Sequence, residues 1–303
     1  MSRRALTLLD GGMGRELKRI GAPFRQPEWS ALALLQGPEH VTRVHRAFIE
    51  AGAQVITSNS YAVVPFHIGE ARFASDGRGL AALSGRLARE AAEGTDVRVA
   101  GSLPPALGSY RPDLFDHQRS LAIHRELIAG LGPHVDLWLA ETQSSLAEAR
   151  AVREALGRDD KPLWLSFTLV DALPDDVPRL RSGESIEQAA QVALELGASA
   201  LLFNCSQPES MGLALISARQ ALAAQAGELQ LGVYANAFAP VSEDAQANDT
   251  LLDIRADLGP AAYLQWAQRW VDEGALIVGG CCGIGPEHIR QLNEHLQAGE
   301  VSS

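Results

Sequence analysis

The chain has 303 residues, 46% hydrophobic and 21% charged, which is the balance of a soluble globular protein with ample material for a large core. A net charge of −11 sets it against nucleic acid and anionic membrane surfaces, which repel an acidic protein, and suits a small cationic ligand. Three cysteines, an odd number, argue against a disulfide framework; with no bilayer-length apolar run and too short an N-terminal apolar stretch for a signal peptide, the expected setting is the cytoplasm.

Eight short apolar runs alternate with helical patterns. The first, ALTLLD (5–10), ends at Asp10 before two glycines. A helical segment at 40–53, with Val41, Val44, Phe48 and Ile49 on one face, precedes QVITSNS (54–60). Helical spacing at 80–94 leads to VRVAGS (97–102), at 118–132 to VDLWLAE (135–141), and at 145–157 to LWLSFTL (163–169). The pattern continues with 185–198 before SALLFNC (199–205), 210–225 before LGVYAN (231–236), and 261–275 before ALIVGGC (275–281). A last helix is expected at 286–299. Runs of this length, apolar throughout, fit strands covered on both faces. Ser145 and Ser185 are placed to cap helix starts, and Ser185 has Gln188 three residues on, as in a capping box.

Eight strand-plus-helix units predict a single α/β domain over 1–303, a (β/α)₈ TIM barrel. The alternative is an open doubly wound sheet, but no G-x-G-x-x-G follows any strand. Two long loops, 170–184 and 237–260, fall on the face where such barrels carry their chemistry; lids, oligomer contacts and plain surface are all open readings. Oligomeric state has no signature in the sequence.

In a barrel of this kind the site is built from the C-terminal strand ends. Those ends carry Asp10; Thr57 to Tyr61, including Asn59; Ser102; Glu141 and Thr142; Asn204 and Cys205; Tyr234 and Asn236; and Cys281 and Cys282. All three cysteines therefore fall on one rim. Three thiolates meeting at a point suit zinc (Zn2+) and leave a fourth position open. The glycines at 279, 280 and 283 would give the backbone freedom to turn two successive sulfurs toward one ion. Two other readings stay open: Cys205 as a small buried apolar residue beside an incidental pair, and a vicinal disulfide between Cys281 and Cys282. A three-thiolate zinc would acidify water poorly and favour a substrate thiol, kept nucleophilic for attack on an electrophilic carbon such as a methyl group on a cationic centre.

DGGMGRELKRIG (10–21), QPEWSA (26–31), HVTRVHRAFIEAGAQVITSNSYA (40–62), LAET (139–142), FNCSQPE (203–209) and GGCCGIGPEHI (279–289) resemble, in order and over nearly the whole chain, the homocysteine S-methyltransferases. The resemblance implies a (β/α)₈ barrel, a zinc held by Cys205, Cys281 and Cys282, and methyl transfer to homocysteine to give methionine. It implies that Asp10 and Glu141 hold the amino group of homocysteine, and that homocysteine and a methyl donor are its small-molecule partners. Trp29 and Tyr61 match positions at which the betaine-using branch has aromatics near its donor, an environment that suits a methylated ammonium or sulfonium; Trp29 as a packing residue is the competing reading. Thr142, Asn59 and Asn236 are candidate polar contacts, Asn236 equally a residue that holds its own loop. The histidines show no ligand spacing at strand tips and read as surface or packing residues.

The chain departs from the family in three rim segments. It reads GIGP (283–286) where many relatives have Arg-Thr-Thr-Pro or Gly-Thr-Thr-Pro, YANAFAP (234–240) where many carry Tyr-Pro-Asn-Ser-Gly, and Gln143–Ser144 where Ile-Pro is common. These differences leave the donor open between S-methylmethionine, the first choice, S-adenosylmethionine and betaine, and the acceptor open between homocysteine and another thiol; a non-catalytic zinc- or thiol-binding barrel is the rival reading.

Overall fold

Strands buried on both faces must alternate between two cores, and the residues of the fourth strand do so. In β4 (Leu137–Gln143), Leu137 and Leu139 join an inner cluster while Trp138 and Ala140 join an outer one. The period of two then points Glu141 inward. The same alternation in β6 (Ala200–Asn204) sends Ala200 and Leu202 inside, Leu201 and Phe203 outside, and Asn204 inside again. The inner cluster is the filled interior of a barrel, and the outer one lies between strands and helices.

The structure is a computed structural model that describes residues 6–171, 177–223, 229–239 and 254–297. The remaining strands are β1 (Thr7–Leu8), β2 (Val55–Thr57), β3 (Arg98–Leu103), β5 (Leu163–Phe167), β7 (Gln230–Tyr234) and β8 (Ile277–Val278). All pairs are parallel, in the order β1-β8-β7-β6-β5-β4-β3-β2. The ring closes between its first and last members through a parallel bridge at Leu9 and Val55: Asp10 N donates to Val55 O at 3.0 Å and Gln54 N to Leu8 O at 2.8 Å. This is the (β/α)₈ barrel expected from the eight apolar runs. No helix among the described residues is long and apolar enough to cross a membrane.

Helices α1 (Met13–Arg19) and α2 (Ala31–Gln36) precede α3 (Pro38–Glu50), whose Val41, Val44 and Phe48 are buried and whose Ile49 is half-buried. Then come α4 (Pro65–Ile68), α5 (Glu70–Ala92), α6 (His117–Leu131), α7 (Leu146–Leu156), α8 (Ile186–Glu195), α9 (Pro208–Leu222), α10 (Pro260–Glu273) and α11 (Pro286–Leu292). Ser145 and Ser185 both cap their helices and both form complete capping boxes, with Glu148 and Gln188. The main misreading is α5, which starts ten residues before the expected 80. Gly77 and Gly79 argue against helix, at about 1 kcal/mol each, but the Phe73 ring lies against Gly77, so the missing Cβ serves packing.

Of the two long loops, residues 172–176 and 240–253 lie outside the described residues. The flanks that are described are tied down. Leu169 and Leu180 form a bridge, and the Arg181 guanidinium pairs with Asp171 at 2.9 Å, the two side chains being 5% and 1% exposed. Asp171 also accepts from Gln207 N at 3.1 Å, and Arg181 lies 4.9 Å from the centre of the Tyr110 ring. Phe238 bridges to Ile254 across the second loop.

Candidate active site

The strand ends surround a cavity of about 170 Å³ at the C-terminal mouth of the barrel. Its walls include Asp10, Glu141, Thr142 and all three cysteines, so residues separated by nearly the length of the chain share one space.

Cys205 follows β6 directly and takes φ +50. Cys281 and Cys282 follow β8, held by their own backbone: Cys281 N donates to Ala235 O at 2.9 Å, and Ala237 N donates to Cys282 O at 2.8 Å. Gly283 has φ +87, the turn that ends the pair, whereas Gly280 is required for close approach, since a Cβ there would run into Ile284. The three sulfurs all lie within 4.8 Å of one another. Cys205 and Cys281 are joined as a disulfide, and Cys282 is a free thiol. The vicinal Cys281–Cys282 bond considered from the sequence is therefore not the one formed, and the odd cysteine count did not exclude a bridge. Burial pushes the Cys282 thiol up to about 11, Arg15 pulling it down and Glu141 pushing it further up.

Asp10 ends the first strand and accepts from Thr57 twice, N to Oδ2 at 2.7 Å and Oγ1 to Oδ1 at 3.2 Å. Burial dominates over these bonds and, with the nearby Glu141 charge, raises its pKa to about 8. Glu141 accepts from Ser102 Oγ and, at 3.4 Å, from the Tyr234 hydroxyl; burial raises its pKa to about 7. Two carboxyls buried in one cavity, with no basic side chain in an ion pair with either among the described residues, are poised for a cation from outside.

Aromatic side chains make up another wall. Trp29 packs edge-on against Phe24 at 5.9 Å and tilts against His67 at 6.1 Å, while Tyr61 lies 6.5 Å from His67. The Tyr61 hydroxyl bonds Ser109 Oγ at 2.6 Å, and His67 Nδ1 bonds Pro27 O at 2.9 Å, securing the segment that carries Trp29. The four non-glycine residues with positive φ among the described residues are Trp29, Tyr110, Thr142 and Cys205, and all four line this cavity. Such conformations cost energy and persist only where surrounding contacts hold them, so the strain is concentrated in one place.

Asp10, Glu141, Thr142, Asn59, Trp29, Tyr61, Cys205, Cys281 and Cys282 are thus brought together. Thr142 is locked by Asn204, whose Oδ1 accepts from Thr142 N and whose Nδ2 donates to Thr142 Oγ1, both at 2.9 Å; Asn59 Nδ2 donates to Ser30 O at 3.0 Å. Asn236 does not line the cavity: its Oδ1 accepts from Phe238 N at 3.2 Å, so it holds its own loop. Sequence reasoning missed Arg15, His67, Tyr110 and Phe238 in the lining. Tyr110 and Phe238 sit in segments after the strand tips, where only the path of the loop decides which way a side chain faces; His67 sits on the short α4 and Arg15 on α1. Of the three departures from the family pattern, only YANAFAP reaches the cavity, through Phe238. Gln143 instead donates to Leu103 O and Glu141 O, and Gly283, Ile284 and Gly285 line a separate outer groove.

A family model described as homocysteine S-methyltransferase matches residues 7–296. Homocysteine S-methyltransferase 1 of Zea mays is 27% identical, over 96% of this chain and 94% of its own length. Selenocysteine methyltransferase of Astragalus bisulcatus is 26% identical, over 97% of this chain and 93% of its own. The metallated form of the homocysteine methyltransferase MmuM from Escherichia coli superimposes with a TM-score of 0.76 at 28% identity, over 97% of this chain and 96% of that one. With its eight-stranded barrel and a family match that spans both cysteine segments and both cavity carboxylates, the chain belongs to the homocysteine S-methyltransferase family.

Proposed function

We propose that the protein transfers a methyl group from a small onium donor, S-methylmethionine first, to the thiol of homocysteine, with zinc held by Cys205, Cys281 and Cys282. The observation that carries this reading is the joint presence, in one cavity, of three sulfurs within 4.8 Å and two buried carboxyls. The sulfurs fit such an ion once the Cys205–Cys281 bond is reduced: they are a soft donor set from two strand ends, and a buried thiol that resists ionisation needs a cation beside it. When bound, the ion supplies a Lewis acid that holds a thiol as thiolate at neutral pH.

Asp10 and Glu141 do the positioning. As carboxylates they accept charge-assisted hydrogen bonds from the ammonium of homocysteine, which returns their pKa values toward the usual range and points the thiol at the cysteine cluster. Thr57 and Ser102 keep the two carboxylates aimed at the cavity. Trp29 and Tyr61 face a methylated cation that no ordinary hydrogen bond can satisfy, and their ring faces attract it. In the transfer the acceptor sulfur forms a bond to the methyl carbon as the bond from that carbon to the donor's onium centre breaks. The donor leaves neutral at that centre, and the acceptor's thiol proton goes to solvent.

The test is methionine formation from homocysteine and S-methylmethionine by reduced, zinc-supplied protein, with betaine and S-adenosylmethionine as parallel donors. Zinc-dependent methionine with S-methylmethionine is expected. Transfer that persists after the metal is chelated away would overturn the proposed role of the sulfurs.

A further inference from the structure

The two carboxylates account for the cation of one substrate, but both substrates of the proposed reaction are zwitterions when the donor is an amino acid. Their carboxylates need a partner too. Among the described residues the cavity is lined by five aromatic side chains besides His67, three cysteines, two acids and a single Lys or Arg side chain, Arg15.

Arg15 is half-buried on α1. Its guanidinium lies 5.0 Å from the centre of the Phe238 ring, itself part of the cavity wall, so the charge is held over a flat apolar face rather than left to wander. Arg15 also lines the outer groove, of about 420 Å³, that runs along α1 and the start of α11. It therefore stands where the cavity meets the groove.

This arrangement separates the substrates. Homocysteine is short: with its ammonium on Asp10 and Glu141 and its thiol at the cysteines, it spans the inner part of the cavity. The donor must bring its methyl group to the same sulfur from the open side, past Arg15. We infer that Arg15 binds the carboxylate of the methyl donor and so selects onium donors that carry one. The inference rests on the proposed methyl transfer and adds a subsite to it. Arg15 is a binding residue here, with no part in moving the methyl group.

The test compares S-methylmethionine with its carboxamide, which keeps the sulfonium and the ammonium and lacks only the negative charge. Wild-type protein should prefer the acid in kcat/KM by roughly 10–100-fold, the scale of a charge-assisted hydrogen-bonded pair. In Arg15→Met, which keeps an apolar chain against Phe238, that ratio should collapse toward one while the KM of homocysteine stays within about twofold. Arg15→Lys should retain part of the preference. A merely structural role would lower both donors alike and leave the ratio intact, and that result would overturn the inference. So would a wild-type ratio near one, or a rise in the KM of homocysteine in place of the donor's. If wild-type protein turns over neither compound, the proposed reaction fails separately. Calorimetric binding of the acid and the amide to wild type and Arg15→Met then decides: an Arg15-dependent preference for the acid sustains the subsite, and equal binding or none removes it.

Discussion

Asp10 and Glu141 leave strands three apart in the barrel and enter one cavity, where the Glu141 charge adds to the burial that lifts the Asp10 carboxyl to about 8, while burial raises Glu141 itself to about 7. An ammonium group placed between them would reverse both shifts. Below these values the carboxyls are protonated and attract no cation. The kcat/KM for homocysteine should therefore rise with pH between about 7 and 8. Asp10→Asn should lower it by roughly 10–100-fold, as loss of a hydrogen bond to a charged group does, and should flatten the upper part of that rise. A pH profile of initial rates at limiting homocysteine checks both; an unchanged profile in Asp10→Asn would remove this carboxyl from acceptor binding.

The same shifts carry a stability cost with a definite sign. Asp10 has its ordinary value of 3.8 in the unfolded chain and about 8 in the folded one, so the folded state binds more protons across that window. Its contribution is fully present below pH 3.8 and is lost as the pH rises through 8. Substrate-free Asp10→Asn should thus melt higher than wild type at pH 8, with the difference shrinking toward pH 5. Thermal unfolding at the two pH values tests this, and added homocysteine should narrow the gap by stabilising wild type.

Each ligand cysteine should be indispensable if one ion needs all three sulfurs. Cys282→Ser is the most informative, because Cys282 takes no part in the Cys205–Cys281 bond. Metal affinity should fall by more than the roughly 10–100-fold that loss of an outer partner of a metal ligand costs, and activity with it. Elemental analysis of protein purified under reducing conditions, beside the methionine assay, gives the answer; full zinc and full activity in Cys282→Ser would defeat the three-sulfur set.

Trp29 and Tyr61 separate into different effects. Trp29→Ala removes a ring face and should raise the donor KM by roughly 2–30-fold, leaving the KM of homocysteine nearly fixed. Tyr61→Phe keeps the face and loses only the hydroxyl with its hydrogen bonds to Ser109 and Thr142, so its donor KM should change little. Steady-state kinetics with each substrate varied in turn resolves the two; a larger effect from Tyr61→Phe than from Trp29→Ala would point to the hydroxyl instead of the ring.

Away from the cavity, the Arg181–Asp171 pair offers a test of how the loop after β5 is held. Both side chains are almost wholly enclosed, and Arg181→Met would remove the buried guanidinium that faces the Asp171 carboxylate. Such losses cost about 3–5 kcal/mol. Because Arg181 also stacks on Tyr110, a cavity residue with φ +65, the variant should lose donor affinity along with stability. Denaturant unfolding together with the donor KM measures both; a stable variant with normal kinetics would show the pair to be dispensable.

The sequence by itself determined the barrel and the rim. Eight apolar runs of four to eight residues can be covered on both faces only in a sheet wrapped by helices, and the period of two along β4 and β6 already turned Glu141 and Asn204 toward the interior. Asp10, Glu141 and the three cysteines were legible because they end strands, where backbone direction fixes side-chain position to within a residue. Tertiary structure decided what lies beyond the tips. Whether Phe238 or Asn236 faces the cavity, whether Tyr110 and Trp29 take left-handed conformations, and that Arg15 joins the cavity wall from α1 all depend on how loops pack against one another. Periodicity ends where hydrogen-bonded structure ends, and the direction of a loop side chain is then set by contacts with residues far away in the chain. The choice among cysteine pairings was of this kind as well: the sequence left a Cys281–Cys282 bond as one open reading, and the convergence of β6 and β8 put Cys205 against Cys281 instead.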